Sequence, residues 1–196
     1  MTIDYKVETD NVLTCDSFEE LTQLENYNDI KYINCNNNKL TVLPELPYSL
    51  THLWCYENKL KVMPVLPESL KILWCSCNQL TVLPILPDGL KKLYCSYNKL
   101  TVIPILPDSL ELLWCHSNRL TSLPKLPESL HYINYRNNPV YDHIKKFYNN
   151  DIELYHKINK IFVNKIASWF LECKYNPGYK YCRDRVNKEY DNLLLI

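Results

Sequence analysis

Cys55, Cys75, Cys95 and Cys115 stand 20 residues apart, and the residues around them repeat in the same register. Each is preceded by an aliphatic pair and an aromatic: Leu50, Leu53 and Trp54; Leu70, Leu73 and Trp74; Leu90, Leu93 and Tyr94; Leu110, Leu113 and Trp114. Each is followed by an Asn and a Leu: Asn58 and Leu60, Asn78 and Leu80, Asn98 and Leu100, Asn118 and Leu120. Each block closes on Leu-Pro-x-Leu-Pro or a near variant, from Leu43–Pro47 through Met63–Pro67, Leu83–Pro87 and Ile103–Pro107 to Leu123–Pro127. Ile30, Ile33, Cys35, Asn38 and Leu40 open the series, and Leu130, Ile133, Tyr135 and Asn138 end it. A fixed period this short means supersecondary units stacked into an array, each burying its apolar face against its neighbours.

The slots have distinct physical roles. The x-Leu-x-Cys-x segment alternates apolar with polar or aromatic residues, the period of a strand. Stacked copies predict a parallel sheet with strands about 4.8 Å apart. Leu53, Cys55, Leu60, Met63 and Leu66, with their equivalents, are expected to point inward. The recurring Asn sits where the chain leaves the strand, and its amide can pair backbone groups of adjacent turns that would otherwise be buried unpaired. Two Pro per repeat forbid a regular helix on the return segment and favour an extended, polyproline-like course. Only 2 Gly among 196 residues, against 12 Pro, suggests turns made by a repeated Pro device.

The slots resemble the leucine-rich-repeat pattern L-x-x-L-x-L-x-x-N-x-L, with Cys in the third aliphatic position. The 20-residue step with L-P-x-L-P is similar to the short repeats of bacterial effectors, and the Asn- and Tyr-rich texture looks like repeat proteins of giant DNA viruses. The resemblance implies an α/β repeat fold: a leucine-rich-repeat solenoid with a parallel β-sheet on the concave face and an extended Pro-rich convex side.

Solenoid ends need covers. Residues 1–29 are expected to form an N-terminal cap with an irregular first repeat: a strand from Val12 to Cys15, then a short helix after Asp16-Ser17 carrying Phe18, Leu21 and Leu24. Residues 30–138 are the repeats, and residues 139–196 a C-terminal helical cap. In that cap Asn138-Pro139 starts a helix to about Phe147. A longer helix runs from about Asp151 to Cys173, with Tyr155, Ile158, Phe162, Ile166, Trp169, Phe170 and Cys173 on one stripe. A third starts at Asn176-Pro177, with Tyr179, Cys182, Val186, Tyr190 and Leu193 on one face.

The outward strand position before each Cys reads Asn34, Trp54, Trp74, Tyr94, Trp114, Asn134. Two residues earlier stand Tyr32, His52, Ile72, Lys92, Leu112 and Tyr132; two later, Asn36, Tyr56, Ser76, Ser96, His116 and Arg136. Core packing does not call for Trp on the outward side of a strand, while aromatic patches mark interaction sites and Trp, Tyr and Arg dominate binding hot spots. The expected function is a non-enzymatic module that binds a protein or peptide through Trp54, Trp74, Tyr94 and Trp114, rimmed by Tyr32, His52, Tyr56, His116, Tyr132 and Arg136. The bland reading of the same row is a self-stacked ladder that stiffens the sheet. Two copies could also hide their rows against each other as a homodimer.

Other chemistries fit less well. Side chains of the Cys row project in parallel, which suits neither tetrahedral zinc nor disulfides, so these thiols read as small buried hydrophobes. Cys77 is expected outward and oxidisable. The five His follow no metal spacing, and no metal or cofactor is expected. Basic and acidic residues balance at 22 each, which disfavours nucleic acid and anionic membrane as partners. The polar stretch from Met1 to Asp10 is no signal peptide, and the closing Leu193–Ile196 run is too short to span a bilayer, so an intracellular place, in a host cytoplasm, is expected. The resemblance raises one catalytic thought, because related effectors carry a ubiquitin ligase with a Cys-x-Asp nucleophile. Cys182-Arg183-Asp184 fits that motif over three residues only, and Cys182 lies on an apolar stripe where a thiol is inert. The alternatives are a ubiquitin-pathway or host-process adaptor acting through the C-terminal helices, and a carbohydrate-binding module stacking sugars on the aromatic row.

Overall fold

The computed structural model describes residues 2–6, 13–15, 17–149 and 151–174. They form strands β1 (Ile3–Lys6) and β2 (Leu13–Cys15), helix α1 (Phe18–Thr22), a 3-10 turn (Tyr27–Asp29) and six repeat strands. The repeat strands are β3 (Tyr32–Asn34), β4 (His52–Trp54), β5 (Ile72–Trp74), β6 (Lys92–Tyr94), β7 (Leu112–Trp114) and β8 (Tyr132–Asn134). Helices α2 (Pro139–Tyr148) and α3 (Ile152–Lys174) follow. The chain divides into two compact units, with the second beginning at Tyr141.

β3 to β8 pair in parallel and in register, Leu53 beside Leu73 beside Leu93 beside Leu113. Each strand is three residues long, and its middle residue is buried from β3 through β7. Strands so short contribute few hydrogen bonds apiece, so stability rests on what the coil places inside. Leu50, Leu53, Cys55 and Leu60, and their equivalents from Leu70 to Leu120, are wholly buried. Several expected inward residues are only half-buried: Leu40, Leu46, Leu126 and Ile133 in the end repeats, and Met63, whereas Leu43, Leu83, Ile103 and Leu123 at the Met63 position are buried.

The Asn row supplies the polar half of the core. The Asn78 amide nitrogen donates to the carbonyls of Cys55 and Cys75 at 2.9 and 3.1 Å, and its oxygen accepts the Leu60 N–H at 3.0 Å. Asn58, Asn98, Asn118 and Asn138 repeat the pattern, so each amide ties its own turn to the one before. Asn138 is thus the last rung of this ladder as well as the residue before α2. At the first rung, Asn38 bonds both backbone groups of Thr2 at 3.1 and 2.7 Å.

The expected Pro device makes the turn onto each strand, where the N–H groups of Leu50, Leu70, Leu90, Leu110 and Leu130 donate to the carbonyls of Pro47, Pro67, Pro87, Pro107 and Pro127 at 3.0 or 3.1 Å, but the turn off each strand is made differently. The residue before each ladder Asn lies in the left-handed region: Asn37, Glu57, Cys77, Tyr97, Ser117 and Asn137, with φ between 53° and 56°. This lets the chain turn sharply and aim the next amide inward, with no Gly at any of the six positions.

The N-terminal end differs from the expected first repeat. Leu13–Cys15 is a strand, but it does not extend the parallel stack. It pairs antiparallel with β1, which lies between it and β3 and is antiparallel to both. The polar sequence Ile3–Lys6 gave no strand signal, although Ile3 and Tyr5 are buried. The expected helix is present as α1, capped by Ser17, whose hydroxyl accepts the Glu20 N–H at 3.1 Å. Val12 and Asp16 lie outside the described residues.

Both helices expected after the repeats are present, within a residue or two of their expected bounds. Asp151 caps α3 through a 2.8 Å bond from the Leu154 N–H. Tyr148 and Tyr155 meet edge to face at 5.4 Å, with His143 against both. The expected third helix from Asn176, and Cys182 with it, lies outside the described residues. No helix among the described residues is long and apolar enough to cross a membrane.

Candidate functional site

Because the middle residue is buried from β3 through β7, its neighbours on either side project outward, and register lines them up from strand to strand. Trp54, Trp74, Tyr94 and Trp114 therefore occupy one row, with Trp54 paired to Trp74, Trp74 to Tyr94, and Tyr94 to Trp114. Their rings touch in sequence. Tyr32 meets Trp54 at 5.1 Å, Trp54 meets Trp74 at 6.0 Å and Trp74 meets Tyr94 at 5.1 Å. Tyr94 meets Trp114 at 5.4 Å and Trp114 meets Tyr132 at 6.2 Å. The row thus crosses the six repeat strands without a break.

Three of these contacts are edge to face, with interplanar angles of 72°, 71° and 75°. Such pairs are worth about 0.5–1.5 kcal/mol each beyond the area they bury, so the row also braces the sheet. Trp54, Trp74 and Tyr94 are half-buried by their neighbours, whereas Trp114 is 37% and Tyr132 51% exposed. The Trp54 indole nitrogen is shielded from solvent and has no hydrogen-bond partner among the described residues.

Most of the residues expected around the row make ring contacts with it. Tyr56 lies against Trp74 at 4.9 Å, His52 beside Tyr32 at 6.3 Å and His116 beside Trp114 at 6.2 Å. Arg136 is exposed at the last turn and takes no part in the ring contacts among the described residues. Two residues of the outer row depart from expectation: Ser76 and Ser96 are buried. Ser96 is held against the Nδ1 of His116 at 2.8 Å. Tyr97 also stands beside these residues and was not among those expected there. It stands 57% exposed with its ring edge-on to His116 at 5.1 Å, in the left-handed turn where strand alternation no longer applies.

The Cys row lies behind this face, buried throughout. Burial pushes the thiols of Cys35, Cys75 and Cys115 up to about 12, and those of Cys55 and Cys95 well above the usual range. They are protonated and unreactive at neutral pH. Cys77 is exposed, but burial and the nearby Glu57 carboxylate raise its pKa, so oxidation there starts from a small thiolate fraction.

Burial also pushes the imidazoles of His52 and His116 below the usual 6.5. The neutral His116 ring can accept the Ser96 hydroxyl proton at Nδ1, and a protonated ring cannot. Between the lowered folded value and 6.5 the unfolded chain binds more protons than the folded one. The stability these rings contribute is therefore complete above 6.5 and is lost as pH falls through the folded value. Chemical denaturation at about pH 7.5 and about pH 5 should show this fall, and His52→Gln with His116→Gln should reduce it. An identical slope in that double variant would assign the pH dependence to other groups.

A stack of parallel strands tied by an Asn ladder, with an aromatic row on its solvent side, makes this chain a leucine-rich-repeat solenoid whose repeats resemble those of bacterial effectors. A Shigella effector leucine-rich-repeat domain is similar at a TM-score of 0.58 and 34% identity, over 62% of this chain and 56% of that one. YopM, a leucine-rich effector protein from Yersinia pestis, is similar at a TM-score of 0.54 and 40% identity, over 55% of this chain and 31% of that one. The chain thus spans about half the length of the first and a third of the second. No protein-family model and no curated protein matches the sequence. The likeness to effector domains suggests a protein-interaction module.

Proposed function

We propose that the aromatic face of the sheet binds a protein or peptide, and that the chain is a non-enzymatic interaction module. The observation that carries this is the unbroken aromatic row from Tyr32 to Tyr132 on the solvent side of a sheet whose other side is already a complete core. Rings held by their neighbours lose little side-chain freedom on binding, which is why rigid aromatics make good anchors. Trp114 and Tyr132, the most exposed of the row, are the expected contact centre, with Tyr97, His116 and Arg136 around them. The mutual packing of the rings favours a protein over a sugar or a base: Trp54, Trp74 and Tyr94 are half-buried by their neighbours, and a sugar or base would need a freely accessible ring face to stack on. Residues 1–29 and 139–196 serve as covers for the array in this reading, and residues 30–138 carry the binding face. By analogy with the effector domains it resembles, the partner would be a host protein in the host cytoplasm. A viral source rests on the Asn- and Tyr-rich texture alone.

The test is a pull-down from host-cell lysate with wild type and with a Trp54→Asn, Trp74→Asn, Trp114→Asn variant whose fold is verified by circular dichroism. Proteins held by wild type and lost by the variant support the binding face. If both retain the same proteins, the row is structural bracing.

A further inference from the structure

We infer that the Pro-rich side of the coil, opposite the aromatic face in each repeat's path, pairs with the same side of a second copy of this chain, the two rows running antiparallel. The central position of Leu-Pro-x-Leu-Pro reads Glu45, Val65, Ile85, Ile105, Lys125. Val65 is 85% exposed, and Ile85 and Ile105 are 89% exposed, the highest values of any large apolar residue among those described. Three positions earlier, Val42, Val62, Val82 and Val102 form a second exposed row, ending at Ser122.

The fold does not demand these residues. Glu45 and Lys125 occupy the same turn of the same motif at the two ends, so the position accepts charge. Apolar β-branched residues recurring there across three consecutive repeats, and across four in the neighbouring row, form a contiguous apolar strip of the kind that marks an interface.

The sequence of the strip names its occupant. A two-fold axis crossing the row at Ile85 sets Ile85 of the two copies face to face and Val65 against Ile105 of the other copy. The same operation sets Glu45 of each copy against Lys125 of the other, twice by symmetry. In the neighbouring row it sets Val82 against Val82, Val62 against Val102, and Val42 against Ser122. Opposite charges therefore meet at both ends of the central row, with only apolar residues between them, and the contact lies over these two rows, leaving the exposed acidic row Glu68, Asp88, Asp108 and Glu128, three positions further on, outside it. A parallel arrangement would instead place Glu45 on Glu45 and Lys125 on Lys125, so the charges also select the direction. The inference is independent of the aromatic-face reading, since none of these residues lies on the sheet.

Sedimentation velocity of the full chain tests it. Wild type should be a concentration-dependent dimer, and Ile85→Lys a folded monomer at concentrations where wild type is paired. Because Ile85 is exposed, that substitution leaves the core intact, which circular dichroism checks. Glu45→Lys and Lys125→Glu alone should each weaken the dimer about tenfold, and the two together should restore it. The Trp74→Asn, Trp114→Asn variant should dimerise as wild type does. Wild type that stays monomeric overturns the inference, and so does a dimer that survives Ile85→Lys or dissociates in the Trp variant. A double charge reversal that fails to restore pairing overturns the antiparallel arrangement. A strip that captures a different protein while wild type alone remains monomeric likewise overturns it.

Discussion

Replacing Asn78 by Ala is expected to destabilise the solenoid by about 3–5 kcal/mol, far more than the loss of a polar side chain usually does. Three things go together. The buried Leu60 N–H loses the acceptor that Asn78 provides at 3.0 Å. The Cys55 and Cys75 carbonyls each lose one of two amide donors, the others coming from Asn58 and Asn98. A cavity opens in a core that close packing does not readily refill. Asn78→Asp should be no better, because a carboxylate could accept the Leu60 N–H but would set an acceptor against two carbonyls. Urea unfolding followed by circular dichroism measures both. A loss under about 1 kcal/mol for either variant would mean that water or relaxation replaces the ladder, and that the amides do not join the turns.

The second large effect concerns the apolar core. Leu73→Ala, at the centre of β5 and wholly buried, should cost about 2–5 kcal/mol. Ile85→Ala removes an aliphatic side chain of equal size, yet in dilute solution, where copies are apart, it should change stability by no more than about 0.5 kcal/mol. The two substitutions differ in which side of the coil they occupy. Similar losses at both sites would contradict the assignment of inside and outside.

Much of this arrangement is readable from the residues. Leu53, Cys55, Asn58 and Leu60 recur every 20 residues, and a side chain chosen so consistently is one the stack requires. The outward Trp and Tyr follow from strand alternation once Leu53 is known to face inward. The left-handed turn was not readable, because Asn37, Glu57, Cys77, Tyr97, Ser117 and Asn137 share no chemistry. What the position needs is a backbone angle, and the ladder Asn that follows supplies the hydrogen bonds that hold it. Tyr97 was missed for the same reason. Strand β1 escaped because Ile3–Lys6 has only four residues and takes its partners from β2 and β3, too far along the chain for any local pattern. The exposed Val65, Ile85 and Ile105 were visible as the variable x of Leu-Pro-x-Leu-Pro. They look like core residues by composition, and only their exposure marks them as surface.

The aromatic face is the centre of the functional account, and affinity measured against a captured partner tests it most directly. By isothermal titration, Trp114→Asn should weaken binding about 30-fold, the effect of losing a hot-spot residue worth about 2 kcal/mol, while Ile85→Lys binds as wild type does. Equal affinity for wild type and for both Trp114→Asn and Trp74→Asn would contradict the account and leave the aromatic row as a brace for the sheet.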